Sequence, residues 1–262
     1  MKPILPRITV VTPSYNQGGF IEQTIASVLS QDYPDLEYIV MDGGSTDDTI
    51  PILRRHEDRL RWISERDNGQ AHAINKALKI ATGEVLAYLN SDDGYEPDAL
   101  KAVGEFFAEH PEAFWVTGKC RVVDSAGREI RKAITLYKNL WLRLHSGQVL
   151  YVLNYVSQPA TFWRHSVMER VGLFNEDLHY TMDYDYWLRM ERVYRLHFVN
   201  TYLARFRIHA ASKSGTTAFR QFDEQLAVAR SHTRNPVLLN FHIVHNVLAT
   251  RAYAMAMKKP AR

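Results

Sequence analysis

Residues 83–100 read GEVLAYLNSDDGYEPDAL. The run VLAYLN has the character of a buried strand, yet it passes directly into SDDG. Two adjacent carboxylates, Asp92 and Asp93, repel each other and disfavour strand structure. Pro97 and DALKAVGEFF then open a helix. An acidic pair at the carboxyl end of a strand is where an open α/β sheet binds its ligand. A solvated turn or a helix cap has the same composition, so the flanking sequence has to decide.

Working outward, the first half alternates strand and helix. RITVVTPS (7–14), LEYIVMD (36–42), LRWISE (60–65) and EVLAYLN (84–90) read as strands. Between them, GGFIEQTIASVLSQ places Ile21, Ile25, Val28 and Leu29 at helical spacing. GGSTDDTIPILRRH turns into a second helix, with Ser45 and Asp48 spaced as a capping box. DNGQAHAINKALKIATG forms a third that stops at Gly83. This alternation predicts a mostly parallel sheet with helices on both faces.

The pattern changes after EHPEAF. AFWVTGKCRVVDSAGREI (113–130) reads as a strand with a hairpin at DSAG, and residues 134–155 are aromatic-rich and fit either element. SQPATFWRHSVMERVG is a short strand and a helix, MDYDYWLRM a helix, LHFVN and YLARFRIH two strands. From Phe219 onward the chain reads as helical. We expect a donor-type half at 1–112, a mixed half at 113–218 and a helical extension at 219–262.

At 262 residues the chain can bury a full core, and its net charge of +3 is too small to make nucleic acid the main partner. Residues 231–262 hold Arg234, Arg251, Lys258, Lys259 and Arg262 with no Asp or Glu. That gives +5 there and leaves −2 for the rest. Cys120 is the only cysteine, so no intrachain disulfide or cysteine-based zinc site can form. MKPILPRITVV lacks the long apolar run of a signal peptide, and no window is long and apolar enough to span a bilayer. The expected location is cytoplasmic.

The four strands end in TPSYN (12–16), MDGGS (41–45), SERDNG (64–69) and NSDDG (90–94). In a parallel sheet these ends share one edge, which would gather Thr12, Ser14, Tyr15, Asp42, Asp67, Asp92 and Asp93. Such a set suits a polar ligand with a hard divalent cation, Mn²⁺ or Mg²⁺. No Walker A pattern occurs and no G-x-G-x-x-G follows the first strand, so side chains rather than a Gly-rich loop must hold any nucleotide.

ITVVTPSYNQGGFIEQTIASVLSQDYPDLEYIVMDGGSTDDT followed by NSDDG resembles the inverting family 2 glycosyltransferases of the GT-A fold, from about residue 7 to about 215. The resemblance implies that Thr12, Pro13, Ser14 and Tyr15 line the base pocket. Asp42 would accept the pyrimidine N–H, with Asp67 and Gly69 nearby. SDD stands at the D-x-D position, with Ser91 replacing the first acid, Asp92 facing the ribose and Asp93 on the metal. FRIHAASKSG (206–215) resembles a mobile loop whose His209 completes the metal site.

SQPATFWRHSVMERVGLFNEDLHYTMDYDYWLR resembles the acceptor-side segment that ends in an E-D motif, here with Met182 in place of Glu. On a helical wheel Asp183 and Asp185 lie about 200° apart, which leaves both open as the base. The resemblance selects Asp183. Asp47 and Asp48 read as helix-start charges, His72 needs no function, and Trp141 reads as core. The expected activity is metal-dependent, inverting transfer from a UDP- or dTDP-linked sugar to a saccharide or lipid-linked acceptor. A sugar nucleotidyltransferase would want a basic first loop, which TPSYNQGGF lacks, and the retained Asp42, Asp92, Asp93 and Asp183 speak against a silent sugar-nucleotide-binding module. Val237, Phe241, Val244 and Leu248 share a helical stripe ahead of KKPAR. That stripe fits core cover, a second copy of the chain, or peripheral attachment to the inner face of the plasma membrane.

Overall fold

The computed structural model describes residues 4–210, 212 and 218–257. The chain begins β1 (Ile8–Ser14), α1 (Ile21–Leu29), β2 (Leu36–Asp42), α2 (Thr49–Arg54), β3 (Arg61–Ser64), α3 (Gln70–Ile80) and β4 (Val85–Tyr88). The four strands pair in parallel in the order β3-β2-β1-β4. β1 is buried at every position, which is why ITVVTPS carries no charge and shows no apolar–polar alternation. Ile8 and Val10 pack into one layer with Ile21, Ile25 and Val28 of α1, while Val11 packs into the other with Ala73, Ile74, Ala77 and Leu78 of α3. Each of the larger Ile, Val and Leu side chains contributes roughly 1.5–3 kcal/mol relative to exposure.

The sheet continues through β5 (Gly94–Tyr95), α4 (Ala99–Glu109), β6 (Trp115–Val123), β7 (Glu129–Ile130) and β8 (Thr161–Arg164) to β9 (Leu196–Arg207). β8 is antiparallel to both β4 and β6, β9 is parallel to β6, and β5 closes the edge antiparallel to β9. The result is a parallel half joined to a mixed half in one sheet. The hairpin at DSAG forms as expected, with Gly127 at φ +79° and Asp124 accepting from the Ala126 and Arg128 amides.

Two local expectations need correction, and one segment left open by the sequence is resolved. LHFVN and YLARFRIH form one strand, because the polar break between them is an irregularity opposite Thr117–Cys120 that bends β9 without ending it. Ser45 and Asp48 make no capping box; α2 starts after Asp48 with no side-chain cap, and the Ser45 hydroxyl donates to Asp42 instead. The open segment 134–155 holds two helices, α5 (Lys132–Arg143) and α6 (Gly147–Leu150), and no strand. The apolar residues Leu136, Leu140 and Leu144 face outward there, so hydrophobic periodicity gave no usable sign of the buried face.

The second half is completed by α7 (Val167–Val171), α8 (Met182–Glu191), α9 (Ala218–His232) and α10 (Pro236–Met257). Buried Asn75 of α3 gives its amide to the Phe174 carbonyl and Glu176, and accepts from the Phe174 N–H, so it docks the loop ahead of α8. Glu224 of α9 takes the His179 and Tyr180 amides at 2.8 Å each. Val228 and Ala229 bury beside α8 in the same core layer. Among the described residues no helix is long and apolar enough to cross a membrane.

Candidate active site

The ends of the parallel strands do converge, and their loops are stitched together. The Gly43 amide donates to Ser14 O, the Asn16 amide to Ser45 Oγ, and the Thr46 amide to Asn16 Oδ1. Asn16 holds φ +51°, a left-handed value that asparagine tolerates better than most residues. Tyr15 projects from this junction with 60% of its surface exposed. Ser14 Oγ is buried beside it with no protein partner.

Asp42 is fully buried and holds its own loop. Its carboxylate accepts from the Gly44 and Ser45 amides and from the Ser45 and Ser64 hydroxyls. Asp67 Oδ1 accepts from the Gly69 amide, and Gly69 at φ +115° starts α3 with a backbone that only glycine adopts readily. A β-carbon on Gly43 would come within 2.7 Å of Asp67 Oδ2, so the β2 and β3 loops touch through that glycine. Thr12 does not line the crevice: it has no exposed surface and its hydroxyl lies 3.1 Å from Tyr38 OH in the opposite layer. Pro13 is buried as well.

The Ser91-Asp92-Asp93 turn is closed by the Asp93 amide on Asn90 O and pinned from below by Thr24, whose hydroxyl meets Ser91 O and Asp93 O. Its two acids have different surroundings. Asp92 keeps partial solvent access, and its Oδ2 lies 3.0 Å from His209 Nε2. The His209 ring stacks on Phe20 at 4.2 Å between centroids. Asp93 is buried; its carboxylate accepts from Asn90 Nδ2 and the Arg207 amide. Burial, with the Asp92 charge beside it, pushes the Asp93 carboxyl well above the usual carboxylate range. The expectation that Asp93 and His209 act together therefore changes: the acid that meets His209 is Asp92. Ser214 and Gly215 of the expected mobile loop lie outside the described residues.

Three contributors were not singled out from sequence. Arg207 donates from Nε to Asp92 O and from its amide to Asp93. Asn90 links Gln70 and Gln158 to Asp93. Asn90 had a legible signal, since it directly precedes the acidic turn; Arg207 and Gln158 had none.

On α8 the structure separates the two candidate bases. Asp185 is bonded by Arg189 Nε at 2.9 Å and His232 Nε2 at 2.7 Å. Burial alone would raise its carboxyl, and these two partners more than reverse that. Asp183 accepts from the neighbouring Tyr184 amide and remains partly exposed. Crowding by the protein pushes its carboxyl up to about 6, against the lowering effect of the Tyr184 amide and Lys138. Thr181 occupies the cap position, so Asp183 belongs to the first turn rather than serving as the N-cap. A small pocket lined by Gly69, Gln70, His179 and Met182 joins the start of α3 to that turn.

Among the described residues no group of three or more His, Cys, Asp or Glu side chains converges on one point. Asp92 and His209 together still fit a divalent cation of the Mg²⁺ or Mn²⁺ kind. Such ions are commonly held by one or two protein ligands, with substrate phosphate supplying the rest.

A parallel sheet with acids at its carboxyl edge, continued by a mixed half in the same sheet, is the GT-A glycosyltransferase architecture. Two solved structures share it. The Staphylococcus aureus TarS fragment 1–349, in complex with UDP-GlcNAc, superimposes with a TM-score of 0.67 at 20% identity, covering 87% of this chain and 67% of that one. The mannosyltransferase PcManGT from Pyrobaculum calidifontis, in complex with GDP-Man and Mn²⁺, gives 0.69 at 24% identity, covering 98% and 77%. In sequence, the chain is 30% identical over 192 residues to chondroitin synthase from Escherichia coli, covering 72% of this chain and 27% of that longer protein. The profile of glycosyl transferase family 2 matches residues 9–172. The chain belongs to that family and is a glycosyltransferase.

Proposed function

We propose that the protein transfers a sugar from a pyrimidine-nucleotide donor, UDP- or dTDP-linked, to an acceptor hydroxyl with inversion at the anomeric carbon. The observation that carries this reading is Asp183: partly exposed, next to Met182 of the pocket that also holds Gly69 and Gln70, and free of the cationic partners that neutralise Asp185. In a single displacement the acceptor hydroxyl gives its proton to Asp183 as its oxygen bonds the anomeric carbon. The bond from that carbon to the diphosphate oxygen breaks, and the diphosphate leaves with the electron pair. The transition state is oxocarbenium-like.

On the donor side, Tyr15 offers an exposed face for the base, and Ser14 Oγ and Asp67 supply polar atoms beside it. Asp42 acts by fixing the loop through its bonds to Gly44, Ser45 and Ser64. Asp92 and His209 would hold the cation, with Asp93 and Arg207 setting the turn that carries Asp92. Bound there, a divalent ion neutralises the charge of the departing diphosphate. Support for a nucleotide-sugar donor comes from TarS and PcManGT, and support for a saccharide acceptor from the name of chondroitin synthase.

The test is a panel of UDP-, dTDP- and GDP-sugars with and without Mn²⁺, scored by melting temperature and by donor consumption in the presence of oligosaccharide acceptors. The expected result is stabilisation by a pyrimidine donor with Mn²⁺, and acceptor-dependent turnover that Asp183→Asn removes. Stabilisation without turnover of any donor would instead identify a binding module.

A further inference from the structure

Helix α10 is inside out for a helix in water. Its inward face carries His242, which has no exposed surface and whose Nδ1 lies 2.8 Å from Tyr151 O, and Asn246, which donates to Phe222 O. Val237, Phe241, Val244 and Leu248 form the outward stripe, each between 55% and 59% exposed. A surface helix normally buries its apolar side and exposes its polar one.

A second helix extends the same surface. Leu136, Leu140 and Leu144 on α5 are 51% to 66% exposed at helical spacing. The two helices lie side by side, since the Tyr137 ring of α5 stacks on His245 of α10 at 6.3 Å and 9°. Tyr137, itself exposed, joins the stripes. The patch therefore spans two elements rather than the one helix whose stripe is legible in the sequence.

Its charge is one-sided. No Asp or Glu occurs from Ile130 to Met168, and none follows Glu224. Exposed Lys132 and Arg143 stand at the two ends of α5, and exposed Arg234 and Arg251 bracket the α10 stripe. A second copy docking through a two-fold axis would set this basic rim against itself. An anionic bilayer takes up both the apolar stripes and the basic rim.

We propose that α5 and α10 together form a membrane-docking face that seats the protein on anionic lipid. The same two helices adjoin the catalytic helix. The His242 ring lies 6.4 Å from Tyr184, next to Asp183, and half-buried Lys138 on the far side of α5 acts electrostatically on Asp183. Docking would thus bring the acceptor side of the crevice toward the lipid surface. The proposal does not rest on the transfer reading, because vesicle binding requires no donor.

The test is co-sedimentation of the full chain with vesicles of phosphatidylcholine alone and of phosphatidylcholine with phosphatidylglycerol, at low and high salt. Two variant pairs accompany it, Phe241→Glu with Val244→Glu and Leu136→Glu with Leu140→Glu, alongside light scattering without lipid. We expect binding only to the phosphatidylglycerol vesicles and release by salt. Either pair should reduce it by on the order of tenfold, with melting temperature and transfer to a soluble acceptor unchanged. Recovery in the supernatant with both vesicle types, equal binding to both, or binding retained by both pairs would overturn the proposal. So would a dimer in light scattering that the variants dissolve.

Discussion

His209 Nε2 and Asp92 Oδ2 lie 3.0 Å apart although 117 positions separate the residues, so the end of β9 closes over the acidic turn after β4. Asp93, the immediate neighbour, faces inward and accepts from Arg207 and Asn90. The two carboxylates should therefore fail differently. Asp92→Asn is expected to weaken Mn²⁺-dependent UDP binding on the order of tenfold or more and to leave the melting temperature nearly unchanged. Asp93→Asn should lower the melting temperature, because its new amide N–H₂ faces an N–H donor on either side. Calorimetric titration and thermal unfolding of both variants check this; equal metal dependence in the two would reject the division of roles.

Asp183→Asn should reduce transfer by a factor on the order of 10² to 10⁴, the usual scale for a general base. Donor and metal binding should stay close to wild type. Asp185→Asn should behave the other way, costing stability on the order of 3 kcal/mol through the loss of a buried charge from between Arg189 and His232, with a much smaller effect on transfer. The decisive measurement is donor consumption with acceptor for both variants. Wild-type activity in Asp183→Asn would remove it from the mechanism.

The raised carboxyl of Asp183 also has a sign in pH. A base works when deprotonated, so transfer should rise as pH increases through about 6 and level off above it. Stability runs the opposite way: the folded state binds this proton more tightly than the unfolded chain, so stability falls as pH rises from the ordinary carboxylate range through about 6. Asp183→Asn should then unfold at a higher temperature than wild type near neutral pH. A pH–rate profile and melting curves at two pH values measure both slopes; a profile flat through pH 6 would contradict the assignment.

Tyr15→Ala should weaken UDP binding through loss of stacking, which contributes roughly 1–3 kcal/mol per base. That corresponds to a change of about 5- to 150-fold in Kd. The effect should persist without Mn²⁺, unlike that of Asp92→Asn. Titration with uridine alone isolates the base contact, and an unchanged affinity would place the base elsewhere.

Gly43→Ala tests the contact between the β2 and β3 loops. The added methyl would come within 2.7 Å of Asp67 Oδ2, so Asp67 must swing away. Nucleotide affinity should drop severalfold while the melting temperature changes little, since both loops lie at the sheet edge rather than in the core. Pairing it with Asp67→Ala in a double-mutant cycle is the check: independent effects would mean that Gly43 does not act through Asp67.

The parallel half was legible because its strands are short apolar runs bounded by Gly, Asp and Asn, and Leu36–Asp42 appears at its expected limits. The acidic turn was legible for the same reason. What stayed hidden depends on contacts across the fold. No local pattern shows that Ser45 turns to Asp42 instead of capping α2, or that Thr12 spends its hydroxyl on Tyr38. The wheel could not rank Asp183 over Asp185 because the deciding partner, His232, comes 47 positions later. Leu136, Leu140 and Leu144 defeat pattern reading outright, since they form an apolar face that the monomer leaves exposed.

The family match ends at residue 172, short of the helix that holds Asp183. That helix and the loop ahead of it are nonetheless sewn to the matched region at several points: Asn75 bonds Phe174 and Glu176, the Tyr184 hydroxyl donates to Leu150 O, the Tyr186 hydroxyl to Gly172 O, and Arg189 Nη1 to Val171 O. The chain past residue 172 is therefore no detachable module, although the family match stops there. A chimera with a relative joined at that point should melt lower than either parent unless position 75 stays asparagine and the Leu150–Gly172 backbone keeps its course.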